Sequence, residues 1–254
     1  VFFFFYGTLL DHDNYSYEPA RKAIGLLEER NISLVICTSK TRAEIEEFRK
    51  EIGNTDPFIS ENGGAIFVPK GYFKGIGYQK EDDNYWIIEL GTGRERLLQA
   101  LWQAKQEGAR LRAFDNLSVA ELSQDTGLSE ERAKLAKMRD YDEPFKLEEG
   151  QDIVEKIVSD SGLRLTKGGR YWHIMGDNDK GKAVKLLTEM FRAKEGDVLT
   201  LGLGDSENDF PMLENVDTPY LVQRPDGSYS SKRFNKADGV GPKGWQKAII
   251  GLFQ

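Results

Sequence analysis

Strand and helix patterns alternate along the first sixty residues. Val1–Tyr6 is a continuous apolar run, typical of a strand covered on both faces in a parallel sheet. Tyr17–Arg30 carries apolar residues at helical spacing, and Ile32–Cys37 is a second apolar run. The sequence Thr41-x-x-Glu44 forms a capping box that opens another helix, and Phe58–Ile59 follows as a short strand. This βαβαβ order predicts a doubly wound parallel sheet.

The middle of the chain has a different pattern, in which short strands and helices do not alternate regularly. It predicts an α+β module over residues 82–175, inserted into a core made of residues 1–81 and 176–254. The predicted strands are Tyr85–Leu90, Tyr141–Leu147, Leu163–Lys167 and Tyr171–Met175. The predicted helices are Arg94–Gln106, Gly150–Ser159 and two that begin near Ser118 and Ser129, the first with a capping box to Glu121.

The last part returns to the first pattern. An amphipathic helix begins at Lys180, and Val198–Leu203 is a buried strand that ends in Gly204-Asp205-Ser206-Glu207-Asn208-Asp209. Pro219–Val222 is another short strand. The predicted fold is therefore an α/β domain with a doubly wound parallel core, built from both ends of the chain, and an inserted α+β domain.

Composition narrows the classes of function. The chain has 254 residues, 35 Lys and Arg against 42 Asp and Glu, and a formal net charge of −7, which argues against a nucleic-acid partner. No segment approaches the roughly 20 apolar residues that span a bilayer, so we expect no membrane partner. A single cysteine, Cys37, excludes an intrachain disulfide and suits the reducing cytoplasm. The sequence does not predict an oligomeric state.

Polar clusters follow three of the predicted core strands. They are Thr38-Ser39-Lys40, Asn62-Gly63-Gly64 and the Asp205–Asp209 segment, with Lys180 opening the helix before the last strand. The carboxyl ends of parallel strands meet at one sheet edge, where ligands bind. A hydroxyl, a lysine and glycine N–H groups can hold a phosphate, and adjacent carboxylates suit Mg²⁺. Taken singly, each residue is explained as a cap or a solvated side chain; their joint occurrence favours a phosphate site.

Four ordered motifs carry a family resemblance. Gly7-Thr8-Leu9-Leu10-Asp11, Thr38, Lys180 with Gly181, and Gly204-Asp205-x-x-Asn208-Asp209 resemble the motif series of the haloacid dehalogenase (HAD) superfamily. The inserted module resembles the larger cap domain of its sugar phosphatases. Five further segments are similar to the mannosyl-3-phosphoglycerate phosphatase group: Cys37–Arg42, Ile59–Gly64, Arg139–Glu143, Gly168–His173 and Gly241–Trp245.

The resemblance implies Mg²⁺-dependent hydrolysis of a phosphorylated sugar or glycerate through an aspartyl phosphate, under a cap that closes over the sugar. It assigns the nucleophile to position 4 and the general acid and base to position 6, with Thr38 and Lys180 on the phosphoryl oxygens. Mg²⁺ would be held by the main-chain carbonyl of residue 6, by Asp205 and by Asp209, directly or through water, with Asn208 orienting the loop. The remaining substrate contacts would come from Ser39, Lys40, Asn62, Gly63, Arg139 and Arg170, the last suited to a glycerate carboxylate.

The first motif departs from this pattern. Gly7-Thr8 fixes the register, so the two aspartate positions of the family hold Phe4 and Tyr6. Phe4 has no lone pair with which to attack phosphorus, and a phenol with a reference pKa of about 10 is a poor acid at neutral pH. Three explanations are open: the N-terminal residues differ from the native ones, the chain is an inactive variant, or it is a binding or regulatory pseudophosphatase. A sucrose-phosphate type of phosphatase is a further alternative.

Overall fold

A nine-stranded sheet forms the centre of the core. A computed structural model of the chain describes residues 2–3, 8–11, 15–167 and 170–253. The strands of this sheet run in the order β13-β12-β11-β1-β2-β3-β4-β6-β5. They are β1 (Phe2–Phe3), β2 (Val35–Cys37), β3 (Phe58–Ser60), β4 (Ala65–Pro69), β5 (Lys80–Glu81), β6 (Tyr85–Glu89), β11 (Leu201–Gly204), β12 (Thr218–Gln223) and β13 (Asn235–Val240).

The pairing from β13 to β3 is parallel throughout, and β4, β6 and β5 extend the sheet in antiparallel fashion. The first strand lies between β2 and β11, so the chain fills one side of the sheet before it returns to fill the other. This order confirms the predicted doubly wound parallel core. It also places the loops after β2 and β11 at the ends of the two strands that flank β1.

Helices cover both faces of this sheet. The core helices are α1 (Arg21–Glu29), α2 (Arg42–Glu51), α7 (Lys180–Glu195), α8 (Phe210–Leu213) and α9 (Pro242–Phe253). One apolar cluster contains Leu27, Phe48 and Trp245, from α1, α2 and α9. The other contains Leu187 and Met212, from α7 and α8. Neighbouring residues of β2 divide between the two clusters, as expected for a strand buried on both faces.

A second, antiparallel sheet forms the inserted module. Its order is β7-β8-β10-β9, made by β7 (Arg110–Ala113), β8 (Asp142–Glu149), β9 (Arg164–Lys167) and β10 (Trp172–Met175). Its helices are α3 (Arg94–Gln106), α4 (Val119–Thr126), α5 (Glu130–Ala136) and α6 (Gln151–Asp160). Leu97 and Ala104 of α3 and Val154 and Ile157 of α6 share an apolar cluster with the sheet residue Phe145.

One strand differs from the predicted division of the chain. We expected Tyr85–Leu90 in the inserted module, but β6 pairs with β4 in the larger sheet, where Phe67 lies opposite Ile87 and Ile66 opposite Ile88. Ile87 and Ile88 of β6 are both buried in the core clusters. The sequence of this segment predicts a strand but carries no information about which sheet the strand joins.

Both predicted capping boxes are present. The Thr41 hydroxyl accepts the Glu44 N–H at 3.2 Å and the Glu44 carboxylate accepts the Thr41 N–H at 3.0 Å. Ser118 and Glu121 make the equivalent pair at the start of α4. Over the described residues, the helices are either too short or too polar to cross a membrane.

Candidate active site

The loops after β2 and β11 carry the polar residues that the sequence predicted for the carboxyl edge of the sheet. Thr38 is fully buried, and its N–H donates to the carbonyl of Ile59 at 3.1 Å. The Thr38 hydroxyl accepts the Lys40 N–H at 3.2 Å. Asp205 directly follows β11 and is also buried. The position that would hold the nucleophile, Phe4, and the acid and base position, Tyr6, lie outside the described residues.

A buried ion pair lies next to Asp205. The Lys180 ammonium donates to Oδ1 of Asp209 at 2.7 Å, with the two side chains 1% and 0% exposed. Oδ2 of Asp209 accepts the N–H groups of Asp205 at 3.1 Å and Ser206 at 3.2 Å, and the Ser206 hydroxyl at 3.1 Å. Burial raises the pKa of Asp209 above its usual value, and Lys180 opposes this shift. Asp209 therefore shapes the loop and fixes the position of Lys180.

The two carboxylates differ as candidate metal ligands. The Asp209 oxygens already accept hydrogen bonds from Lys180 and three further donors, so Asp209 has little capacity left to ligate a metal ion directly. Asp205, which directly follows β11, is the other candidate ligand. Its backbone carbonyl accepts a hydrogen bond from Arg224 at 3.2 Å, which fixes the loop. Within the described part of the chain, no group of three or more His, Cys, Asp or Glu side chains gathers around one point. One carboxylate fits Mg²⁺, which is held by one or two carboxylates together with phosphate oxygens and water.

The loop that follows β3 packs tightly against the start of α7. A Cβ on Gly63 would lie 2.2 Å from the Asp179 carbonyl oxygen, so this position requires glycine. Asn62, with φ of 57°, donates its amide to Oδ2 of Asp142 at 2.8 Å. Its amide oxygen accepts from Asn208 at 2.9 Å. The Asn62 side chain thus connects two loops of the protein to each other, whereas the family resemblance predicts that it contacts the substrate.

Three other predicted substrate ligands also make structural contacts. Arg139 is buried and donates to the carbonyls of Ser39 at 2.6 Å and Asp142 at 2.7 Å. The Lys40 ammonium pairs with Glu44 at 2.7 Å. Arg139 and Ser39 thereby join the inserted module to the core. This placement does not favour a direct role for Arg139 in binding substrate, and burial could not be inferred from the sequence.

Arg170 lies in the inserted module, directly after the part of the β9–β10 connection that the structure does not describe. It is exposed and donates to the carbonyl of Thr126, at the end of α4, at 2.9 Å. The preceding Gly168 and Gly169 lie outside the described residues. None of the described contacts of Arg170 is with Thr38 or Lys180.

Three polar residues at the junction between module and core, the buried Glu61 and Asp142 and the half-buried His173, have no role predicted from the sequence. The Glu61 carboxylate accepts the N–H groups of Asp140 at 3.0 Å, Tyr141 at 2.9 Å and Asp142 at 2.9 Å. Burial raises the pKa of Glu61 to about 7, although Arg139 and these donors favour its charged form. The Asp142 carboxylate accepts from Nδ1 of His173 at 2.9 Å. Against the effect of burial, His173 and Arg139 hold the pKa of Asp142 below its usual value.

The fold is shared with several solved structures. A protein of Thermoplasma acidophilum matches with a TM-score of 0.70 at 18% identity, covering 99% of this chain and 96% of that one. A phosphatase of the haloalkanoate (HAD) enzyme superfamily from Bacteroides thetaiotaomicron matches with a TM-score of 0.68 at 15% identity, covering 99% and 93%. These similarities support the predicted arrangement of a Rossmann-like HAD core with a cap.

Two relatives are similar over most of their length. A glucosyl-3-phosphoglycerate/mannosyl-3-phosphoglycerate phosphatase of Methanococcoides burtonii is 50% identical over 255 residues, covering 97% of this chain and 94% of the relative. A mannosyl-3-phosphoglycerate phosphatase of Pyrococcus horikoshii is 36% identical over 226 residues, covering 89% and 90%. Residues 5–228 match the haloacid dehalogenase-like hydrolase family, and that match begins directly after position 4. The chain belongs to the haloacid dehalogenase-like hydrolase family.

Proposed function

We propose that this protein is built to release phosphate from a hexosyl-3-phosphoglycerate, most closely mannosyl-3-phosphoglycerate, giving mannosylglycerate. The observation that carries the proposal is the buried Lys180–Asp209 pair, together with Thr38 and Asp205 directly after β2 and β11, at the sheet edge where ligands bind. The printed activities of the two relatives supply the substrate class. The partner is thus a small phosphorylated molecule, handled in the cytoplasm, where the lone buried Cys37 stays reduced.

In this proposal Lys180 and the Thr38 hydroxyl hold the phosphoryl oxygens. The ammonium, fixed by Asp209, offsets the negative charge that develops on these oxygens in the transition state. A carboxylate at position 4 would form a bond to phosphorus as the bond to the glycerate oxygen breaks, and a group at position 6 would protonate that oxygen. Water would then release phosphate from position 4. Phe4 cannot perform the first step, so the chain with this residue has no nucleophile.

Mg²⁺, when bound, would neutralise charge on the phosphoryl group. Asp205 would hold it, together with the main-chain carbonyl of residue 6. Asn208 would keep the loop in place through Asn62. Because position 4 supplies no carboxylate, we expect Mg²⁺ to bind the chain weakly.

The role of Asp205 gives a direct prediction. Titration calorimetry is expected to show Mg²⁺ binding in the millimolar range or weaker, about −4 kcal/mol or less favourable. Asp205→Asn should abolish this binding, because the amide lacks the negative charge that the ion requires. Asp226→Asn, which changes an exposed carboxylate in the turn after β12, should leave it unaltered. Unchanged Mg²⁺ binding in the Asp205 variant would contradict the assignment.

The inserted module would act as the cap that closes over the sugar and excludes water. Because β6 belongs to the core sheet, we place the start of the cap after Glu89 and not at residue 82. Its end stays at residue 175, where β10 ends. Thr41 of the core donates its hydroxyl to the carbonyl of Leu135 in the cap at 2.9 Å, so the cap lies against the Ser39–Thr41 loop.

Arg170 remains a candidate for recognition of the glycerate carboxylate, since a bidentate guanidinium suits that group. In a chain with aspartate at positions 4 and 6, Arg170→Ala is expected to raise KM for mannosyl-3-phosphoglycerate about tenfold. The KM for an aryl phosphate, which has no carboxylate, should stay unchanged. Arg164→Ala, which removes an exposed arginine of β9, is the matched control. Equal effects of Arg170→Ala on both substrates would exclude Arg170 from recognition.

A non-catalytic role is the second candidate, and Phe4 and Tyr6 are the observation that favours it. A protein of that kind would bind a phosphorylated sugar without hydrolysing it, and the bound state would serve a regulatory or storage role. A ligand that raises the thermal stability of the unmodified chain without any phosphate release would support this role. Comparing hydrolysis of mannosyl-3-phosphoglycerate with hydrolysis of sucrose phosphate distinguishes the proposed activity from that of a sucrose-phosphate type of phosphatase.

A further inference from the structure

Four side chains form a continuous series of hydrogen bonds from the cap to the Asp205–Asp209 loop. His173 donates from Nδ1 to Asp142 at 2.9 Å, Asn62 donates to Asp142 at 2.8 Å, and Asn208 donates to Asn62 at 2.9 Å. A carboxylate only accepts hydrogen bonds, so Nδ1 of His173 carries the proton. The side-chain nitrogen and the side-chain oxygen of Asn62 therefore each form a hydrogen bond in this series.

The series crosses from one unit of the protein to the other. His173 lies on β10 and Asp142 at the start of β8, both in the small sheet. Asn62 belongs to the core loop after β3, and Asn208 directly precedes Asp209, which holds Lys180. A shift of the cap sheet relative to the core therefore acts on the loop that positions the ammonium group.

Asn62 is well suited to transmit such a shift. It is 3% exposed, and its left-handed backbone conformation is one that asparagine tolerates better than most residues. Both neighbours are held independently: Asp142 by Arg139, and the Asn208 loop by the contacts of Asp209 with its own backbone. Other contacts across the junction end on Glu61, which precedes Asn62 in the same loop, or elsewhere in the core. Examples of the second kind are Tyr141 on Glu89 and Leu135 on Thr41.

We propose that Asn62 is a positioning residue that couples cap closure to the phosphate-holding loop through His173, Asp142 and Asn208. The ligand, its position at Lys180 and the closure of the cap rest on the proposed function; the series of hydrogen bonds is a property of the free protein. Because coupling is reciprocal, a phosphate held by Lys180 stabilises the closed cap, and closure of the cap tightens the hold on phosphate.

Hydrogen exchange of the Asp205 and Ser206 amides tests the coupling without ligand, since both donate to Asp209. His173→Ala and Asn208→Ala are each expected to raise the exchange rates of these amides about fivefold. The double variant should exchange no faster than the faster single variant, because both changes break one series. His173→Asn, whose amide nitrogen occupies the place of Nδ1, should restore the slow rates.

Asn62→Gly supplies the decisive background, because glycine tolerates the positive φ and removes the whole linking side chain. In this background His173→Ala should have no further effect on the two amides. Tyr141→Phe, which removes the bond to Glu89 at the same junction, is the matched control and should leave them unaltered. An undiminished His173 effect in the Asn62→Gly chain, or effects that multiply in the double variant, would overturn the coupling. Where His173→Ala does not fold, His173→Gln takes its place.

Titration with inorganic phosphate separates this inference from the proposed function. In the full chain, His173→Ala should weaken phosphate binding about threefold, and this loss should vanish in the Asn62→Gly background. Coupled exchange with no phosphate binding in any variant would uphold the coupling and contradict the proposed phosphate site. Phosphate binding that His173→Ala does not change, together with uncoupled exchange, would uphold the proposed phosphate site and contradict the coupling.

Discussion

Replacing Phe4 and Tyr6 together by aspartate is expected to give metal-dependent phosphate release where the unmodified chain shows essentially none. Thr38, Lys180 and Asp205 are already buried at the sheet edge, so the change supplies only the missing nucleophile and acid. Removal of the nucleophile of a serine protease lowers the turnover number by a factor on the order of 10⁶, and we expect a gain of similar size here. New carboxylates beside Lys180 and Mg²⁺ are compensated, so folding should survive.

The single changes and the substrates make this experiment specific. Phe4→Asp alone should give partial activity, because Tyr6 retains its main-chain carbonyl but is a poor proton donor. Tyr6→Asp alone should stay inactive, since phosphorus then has no attacking group. Release should be followed on mannosyl-3-phosphoglycerate and on an aryl phosphate, with and without EDTA. A folded double variant that is inert on both would favour the binding role, and strong activity of the unmodified chain would show that the assigned register is wrong.

Lys180→Met is expected to lower the free energy of unfolding by about 3–5 kcal/mol at pH 7. The substitution leaves the Asp209 carboxylate buried without its cation, and a broken buried ion pair has a cost of this size. Chemical denaturation measures the change. Lys182→Met, which removes the neighbouring lysine that is half exposed and paired with Asp177, should change stability little. A loss no greater than in this control would contradict the buried pair.

The pH dependence of this loss has a defined sign. Burial already raises the pKa of Asp209, and removal of Lys180 removes the main opposing effect. In the variant, the folded state therefore binds a proton more tightly than the unfolded state does. Stability is lost above the raised folded pKa and recovers as the pH falls through it. The deficit of the variant should be largest at neutral pH and shrink towards pH 4, and a deficit independent of pH would argue against a lone Asp209 carboxylate.

Much of the core could be predicted because its strands are apolar on both faces and its helices carry a clear apolar stripe. The capping box at Thr41 in the core and the helix Arg94–Gln106 in the inserted module follow local rules, and both are present as predicted. Two elements at the end of the chain were missed. The strand Asn235–Val240 has little apolar character and is defined by its pairing with β12, and the helix Pro242–Phe253 begins with Pro, Lys and Gly, which carry no apolar stripe.

The candidate site divides in the same way. Thr38 and Asp205 directly follow β2 and β11, where strand-end reasoning places them, because the position of a strand end is a local property. The contacts of Asn62 could not be predicted, since its partners lie 80 and 146 positions away. The family resemblance predicts Arg139 as a substrate ligand. Its burial between Ser39 and Asp142 depends on how the cap docks, which no local pattern encodes.

The most direct measurement is the equilibrium binding of mannosyl-3-phosphoglycerate to the unmodified chain, which should hold this molecule without hydrolysing it. Calorimetry with Mg²⁺ present is expected to show binding that Lys180→Met weakens about tenfold to a hundredfold, the cost of losing one charged hydrogen bond. Lys182→Met should bind as the unmodified chain does. Equal affinity of the Lys180 variant and the unmodified chain, with both shown to be folded, would contradict a phosphate site at Lys180.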